Sequence, residues 1–445
     1  MNLRELNFSD SQQLVYDAVT KLESKKSKNQ YYENKFILTE GKAGTRKSFL
    51  INAIRKNSEY SNSDSDYDIT DTMVLAPTGI AAVNIKGDTL YKGLSIHPSN
   101  IKTNDNRNFY GFKKDLLKNS IKRIIIDEIS MVSPITLDFI FRKFINTFHQ
   151  KDFSKFKRDN KIQFVFVGDM GQLEAIESQA DLTKGGYTSN SFLDSKYLKM
   201  LLEESNTNTE ESKARVLQKF KLDTIFRQSD SDFIEALNRV RETDRLDPYF
   251  TKFLTKTITD KTATVLSPYK EVTAKINKDC LDELQTPLVE LTGEVGGESP
   301  STFKQSDFIA EYELSVKDGC KVMTVINDDS ISIVNGFITT LTIRDNKLFI
   351  VNMRGHLVEL LPKKFAKYSY IPKEEDGILT TIAQVDVSLT QYPIIVAYAL
   401  TIHKCQGVTL SSNAVIDARK KMFAKNQLYV ALSRVSDPKY LQILV

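Results

Sequence analysis

The chain has 445 residues, no tryptophan and only three cysteines. Nothing functional follows from the first absence. Cys280, Cys320 and Cys405 stand far apart. They show no metal-ligand spacing, and their scarcity suits a reducing compartment. No apolar run approaches the ~20 residues that cross a bilayer. The first residues, Met1-Asn2-Leu3-Arg4-Glu5-Leu6, lack the basic-then-apolar layout of a secretory signal. An intracellular protein without a membrane partner is expected. Neither sign of charge dominates: 61 Lys and Arg against 57 Asp and Glu leave +4, which permits a polyanionic partner without requiring one.

The length suits two or three domains, and 41% hydrophobic residues supply their cores. One stretch organises the rest. Gly41-Lys42-Ala43-Gly44-Thr45-Arg46-Lys47-Ser48 follows the apolar run Phe36-Ile37-Leu38 and precedes apolar residues at helical spacing, Phe49, Leu50, Ile51, Ala53 and Ile54. Strand, glycine-containing loop and Lys-Ser at a helix start form the layout of a nucleotide-binding P-loop. Its N–H groups and the helix dipole favour phosphate. Lys47 meets the β and γ phosphates as a point charge, and Ser48 offers a hydroxyl to Mg²⁺.

Upstream, Ser9 and Gln12 have capping-box spacing before an apolar face of Val15, Tyr16, Val19 and Leu22. Two readings stand side by side: a capped helix, or Gln12 presented to an adenine. Glu59–Asp71 reads as a solvated loop. The strand Met73–Ala76 then runs into Pro77-Thr78-Gly79, where Thr78 offers a hydroxyl to a phosphate. Phe109, Tyr110 and Phe112, beside Lys113 and Lys114, form either a small core or an exposed set of stacking rings. Arg123-Ile124-Ile125-Ile126 ends in Asp127-Glu128, the acidic half of an ATPase site. Asp127 holds Mg²⁺, and Glu128 orients and deprotonates the attacking water. Phe164–Val167 ends in Gly168-Asp169-Met170-Gly171-Gln172, where Asp169 and Gln172 are placed to sense the γ-phosphate. Residues 177–215 are weakly patterned, with Ser205–Ser212 as an exposed loop.

The second half opens with Phe226-Arg227-Gln228. Between 319 and 361, strand-like runs divided by Asp345-Asn346 and Arg354-Gly355 predict a small antiparallel barrel ending near Val387. Residues 393–410 then lead through Thr401-Ile402-His403-Lys404-Cys405-Gln406-Gly407-Val408-Thr409-Leu410 to Tyr429–Val435, which contains Arg434.

These segments, in this order, resemble the superfamily 1B DNA helicases, above all the Pif-type family and its compact phage relatives. The resemblance covers nearly the whole chain. Gln12 falls on the Q motif, residues 41–48 on motif I, and residues 76–82 on motif Ia. Asp127–Met131 is similar to motif II, Gly168–Leu173 to motif III, and Phe226–Gln228 to motif IV. Thr401–Leu410 is similar to motif V and Tyr429–Val435 to motif VI.

The resemblance implies an α/β fold of two RecA-like parallel-sheet domains with ATP in the cleft between them. Domain 1A would span 1–212, with a small wedge insertion, 1B, at about 93–117. Domain 2A would span 213–445, with an SH3-like β-barrel insertion, 2B, at about 337–387. The implied nucleotide site is Gln12, Gly41, Ala43, Gly44, Thr45, Arg46, Lys47, Ser48 and Gly407, with Mg²⁺ on Ser48 and Asp127. Lys47, Glu128 and Gln172 would be supplied by the P-loop half, and Arg227 and Arg434, as arginine fingers, by the other. Single-stranded DNA would be held by Thr78, Thr409, His403 and Lys404. Phe109 or Tyr110 would stack on the base pair being split. Travel would be 5′ to 3′, by a monomer, at junctions of single and double strands, with replication or repair proteins as further partners. The compartment would be the cytoplasm of a bacterium or phage-infected cell, or a nucleus.

Two departures stand out. The chain has Thr89-Leu90-Tyr91 where the family has Thr-Ile-His, which leaves Tyr91 as the ring at that position. Arg46 replaces the glycine before the P-loop lysine, where a non-glycine costs ~1–3 kcal/mol. Arg46 is therefore either tolerated beside the phosphates or disabling. The expected function is an ATP-driven DNA helicase, with a motionless DNA-binding scaffold and an RNA helicase as alternatives.

Overall fold

The computed structural model describes residues 7–21, 34–61, 68–96, 101, 120–150, 152–175, 177–207, 217–258, 260, 262–328, 330–375, 378–406, 408–419 and 422–445. Contacts divide the chain into two units. The first is Met1–Met170, Glu174–Thr224 and Lys367–Asp386; the second is Gly171–Leu173, Ile225–Ala366 and Val387–Val445.

The first unit is built on six parallel strands: β1 (Phe36–Gly41), β2 (Thr72–Ala76), β3 (Asp88–Thr89), β4 (Arg123–Ile126), β5 (Gln163–Gly168) and β6 (Leu217–Leu222). Their order is β3-β2-β4-β5-β1-β6. Runs such as Ile124-Ile125-Ile126 and Phe164-Val165-Phe166-Val167 are buried on both faces, as in parallel sheets covered by helices. The period-two alternation of a strand sorts them. Phe36, Leu38, Ile124, Ile126, Phe164 and Phe166 face a core shared with Phe141 and Phe144 of helix α4 (Pro134–Thr147). Ile37, Ile125, Val165 and Val167 face the opposite core, built with helices α1 (Asp10–Thr20) and α2 (Lys47–Asn57) through Val15, Val19, Leu50, Ile51 and Ile54. Helix α3 (Gly79–Asn84) follows β2. The Phe36 and Phe164 rings stack at 5.7 Å, and Phe144 meets Phe164 edge-on at 5.1 Å. Three neighbouring strands, β4, β5 and β1, thus deliver Asp127, Gly168 and the P-loop to one end of the sheet.

The second unit has a parallel sheet of β7 (Leu254–Thr255), β8 (Thr264–Ser267), β9 (Ala399–Thr401), β10 (Ala414–Asp417) and β11 (Leu441–Leu444), ordered β9-β8-β10-β11-β7. Helices α5 (Ser231–Thr243), α6 (Lys270–Glu283) and α7 (Gln427–Leu432) accompany it. A five-stranded antiparallel sheet runs Leu357–Glu359, Lys347–Val351, Ile338–Arg344, Lys321–Thr324, Ile394–Val396. Its tightest turn is Asp345-Asn346, at φ +51° and +60°, the backbone a two-residue hairpin requires.

Several boundaries differ from those read in the sequence. The chain leaves the first unit after Thr224 rather than at 212, because Leu217–Leu222 pairs along the whole of β1. The antiparallel sheet starts at Lys321, within the strand-like stretch 319–361 read in the sequence but before the 337 implied for the insertion, and it takes in Ile394–Val396, beyond Val387. Lys367–Asp386 packs with the first unit: Tyr368 N–H donates to Gly87 O at 3.3 Å, and Asp386 pairs with Lys92. The expected loop 59–71 contains two short antiparallel strands, Glu59–Ser61 and Asp68–Thr70, the latter also paired with Ile382 and Ala383. A helix, Lys196–Thr207, enters the expected loop 205–212, because Leu198 and Leu201 are buried in the phenylalanine core.

Candidate active site

The P-loop leaves β1 at Gly41, where there is no room for a side chain: a Cβ would lie 2.5 Å from Thr45 Oγ1 and 3.1 Å from Lys47 Cγ. The turn passes through Gly44 at φ +84° and Arg46 at φ +58°, ψ +41°, before α2 begins at Lys47. Arg46 thus adopts the left-handed conformation that glycine would take freely, at a cost of about 1–2 kcal/mol. Its side chain is exposed, as is Ser48, while Ala43 and Thr45 are buried. Lys47 Nζ donates to Gly41 O at 2.7 Å and Lys42 O at 3.3 Å. Thr45 Oγ1 donates to Lys42 O at 2.9 Å.

Gln12 fulfils the capping box, its Oε1 accepting from Ser9 N–H at 3.0 Å. Its Nε2 donates to Thr45 O at 3.0 Å. One end of this buried amide closes the cap of helix α1 and the other reaches the P-loop.

β4 continues its ladder for one residue, with Asp127 N–H donating to Leu75 O at 2.9 Å. Asp127 is 3% exposed, and its Oδ1 accepts from Glu128 N–H at 2.8 Å. Burial, and then the Glu128 charge, push its carboxyl up to about 7 against a smaller opposing effect of Lys47. Glu128 has φ +48°, and its Oε2 is buried without a hydrogen-bond partner among the described residues. Such strain with an unspent acceptor is characteristic of functional sites. Gly168 lets β5 approach closely: a Cβ there would lie 2.9 Å from Ile129 Cγ2. Asp169 beyond it is fully buried. A buried, charge-frustrated carboxylate and an exposed hydroxyl at the start of α2 fit a hard, oxygen-seeking divalent cation such as Mg²⁺.

In the second unit, Arg227 Nε donates to Thr409 Oγ1 at 2.9 Å and its Nη1 to Ser433 O at 3.0 Å. Burial, and then the neighbouring Arg434 charge, lower its pKa to about 9. Arg434 is 1% exposed, with Nε on Val430 O at 2.9 Å. Gln172, read in the sequence with the P-loop half, belongs with Gly171–Leu173 to the second unit. Its carbonyl accepts from Asn426 Nδ2 at 3.0 Å and its Oε1 from Gln406 Nε2 at 3.3 Å. Arg241 lies where a Gly171 Cβ would be, 2.1 Å away.

Thr78 caps helix α3, accepting from Ala81 N–H at 3.3 Å. Tyr91 packs against the first unit's core. His403 is half-buried and stacked on Phe423 at 5.8 Å, and burial, then Lys270, lower its pKa. Lys404 pairs with Glu311 at 2.9 Å. Phe109, Tyr110 and Gly407 lie outside the described residues. Sequence reasoning missed the contacts of Asn426, Gln406 and Arg241 with Gly171 and Gln172, which are tertiary and which no motif spacing announces.

A model of the PIF1-like helicase family matches residues 7–245, more than half of the chain. The ATP-dependent DNA helicase Pif1 of Campylobacter jejuni is 28% identical over 442 residues, spanning 93% of this chain and 89% of that protein. Unliganded Pif1 from Bacteroides sp has the same fold, with a TM-score of 0.78 over 99% of this chain and 93% of that one, at 24% identity. The crystal structure of Bacteroides sp Pif1 in complex with ADP-AlF4 aligns at 0.76, with 25% identity, over 99% of this chain and 92% of that one. The two parallel sheets described above are accordingly those of two RecA-like domains.

Proposed function

The chain belongs to the PIF1-like helicase family and is an ATP-dependent DNA helicase; from that premise we propose the following division of labour among its residues. The N–H groups of the P-loop and the start of α2 bind the phosphates of ATP, and Lys47 leaves its two carbonyl partners for the β and γ phosphates. Ser48 and Asp127 would hold Mg²⁺, which would supply positive charge against the phosphate oxygens. Gln12 and Gly407 complete the nucleotide site.

Glu128 orients the attacking water and takes its proton as the water oxygen bonds to the γ-phosphorus and ADP departs. The observation carrying this role is its strained backbone beside Asp127, with a buried Oε2 that has no partner among the described residues. Arg227 and Arg434 stabilise the charge on the transferring phosphoryl group, and Gln172 senses it. Thr78, Thr409, Lys404 and His403 hold the single strand, mostly by its backbone, so sequence preference is weak.

The motor travels 5′ to 3′ as a monomer and opens duplex at junctions, where Phe109 or Tyr110 of a wedge near 93–117 meets the splitting pair. An SH3-like insertion in the second RecA-like domain lies over the strand. Replication or repair proteins are its further partners. The decisive test is Glu128→Gln. Hydrolysis should fall at least about 10²-fold while ATP still binds; undiminished hydrolysis would sink the assignment.

A further inference from the structure

Thr409 sits where three parts of the second unit meet. Its Oγ1 accepts from Arg227 Nε at 2.9 Å. Its own O–H has no acceptor among the described residues. The turn at Gly336, at φ +92°, comes so close to its backbone that no side chain fits there: an added Cβ would lie 2.3 Å from Thr409 O and 3.0 Å from Thr409 N. The next residue, Leu410, donates its N–H to Arg434 O at 2.8 Å and accepts from Ser436 N–H at 3.0 Å. One short segment therefore holds the side chain of Arg227 and the backbone of Arg434.

We propose that Thr409 is a positioning residue for Arg227, and that its hydroxyl transmits strand binding to the arginine. The proposal rests on the reading of Arg227 as a phosphoryl-stabilising arginine. A threonine hydroxyl carries one donor and two acceptor sites. Thr409 uses an acceptor on Arg227 and keeps the donor for a phosphate of the single strand. When an O–H donates to an anion, its oxygen becomes a better acceptor, so the bond from Arg227 Nε strengthens. With Nε on Thr409 and Nη1 on Ser433 O, the guanidinium plane is set. Nη2 is bonded to nothing among the described residues and remains for an oxygen of the transferring phosphoryl group.

The test compares Thr409→Val, Thr409→Ser, Arg227→Ala and Thr409→Val/Arg227→Ala in the full chain. ATP turnover is measured at saturating oligothymidylate, and strand affinity separately. Thr409→Val should lower kcat at saturating strand about tenfold or more, the range of a hydrogen bond to a charged group. Thr409→Ser should stay within about threefold of wild type, because the hydroxyl is all the argument needs. The double variant should be no slower than Arg227→Ala. If Thr409→Val only weakens strand binding and leaves kcat intact, while Arg227→Ala is inactive, Thr409 is a strand contact alone and this proposal is overturned. If Arg227→Ala turns over normally, the reading of Arg227 fails and the proposal fails with it.

Discussion

Gln12 donates its side-chain amide to Thr45 O at 3.0 Å while its own carbonyl accepts from Ser9 N–H at 3.0 Å. This buried amide ties the capped helix α1 to the loop that receives phosphate, so the helix start and the P-loop share one side chain.

Gln12→Glu should separate the two bonds, since a carboxylate still accepts from Ser9 but cannot donate to Thr45 O. We expect the KM for ATP to rise about tenfold in Gln12→Glu and Gln12→Ala alike. Both should also lose ~1–3 kcal/mol of stability from the unpaired Thr45 carbonyl. Steady-state kinetics and denaturant unfolding check this, and wild-type ATP affinity in Gln12→Glu would show that the bond to Thr45 has no functional weight.

Arg46 holds φ +58° at the cap of α2. Arg46→Gly should relieve the strain and stabilise the chain by about 1 kcal/mol while preserving strand-stimulated ATP hydrolysis. A β-branched residue suffers more in this region, so Arg46→Val should destabilise the loop and depress ATP binding. Hydrolysis in Arg46→Gly but not in the natural chain would instead mark Arg46 as disabling.

Lys404 and Glu311 pair at 2.9 Å with side chains 37% and 40% exposed. Such a surface pair contributes little to stability, about 0–1 kcal/mol. Glu311→Gln should therefore leave the melting temperature nearly unchanged. It should tighten strand binding, because Lys404 is released to phosphate and an anionic neighbour is lost. The readout is oligonucleotide affinity as a function of salt. An unchanged affinity would remove Lys404 from the strand contact.

His403 has its pKa lowered below the ordinary 6.5 by burial and by Lys270. It is neutral at pH 7 and supplies no cation to a phosphate. Strand affinity measured between pH 7 and pH 8 should show no step that His403→Gln abolishes. The linkage has the opposite sign to that of an ion-paired histidine. Below pH 6.5 the unfolded chain binds the proton more readily than the folded one, so folding stability falls as pH falls. His403→Gln should flatten that acid loss in denaturant titrations at pH 5.5 and 7.5.

The order of elements around the P-loop was legible from residue type alone. Phe36–Leu38, Ile124–Ile126 and Phe164–Val167 are short apolar runs of the kind a covered parallel strand buries, and all three are strands of one sheet. The Ser9–Gln12 capping box was legible for the same reason, since it is satisfied within one helical turn.

What the sequence by itself determined is therefore local: which segments are strand or helix, where the loops carry glycine, acid or arginine, and which family pattern they spell. The tertiary structure decided the partners. Leu217–Leu222 joined β1, Asp68–Thr70 found Ile382 and Ala383, Gln172 was taken by Asn426 and Gln406, and Thr409 by Arg227. The physical reason is common to all four. A backbone ladder or a side-chain hydrogen bond needs only a donor and an acceptor brought within about 3 Å, and which ones meet is set by how distant segments pack, not by the residues adjoining them in the chain.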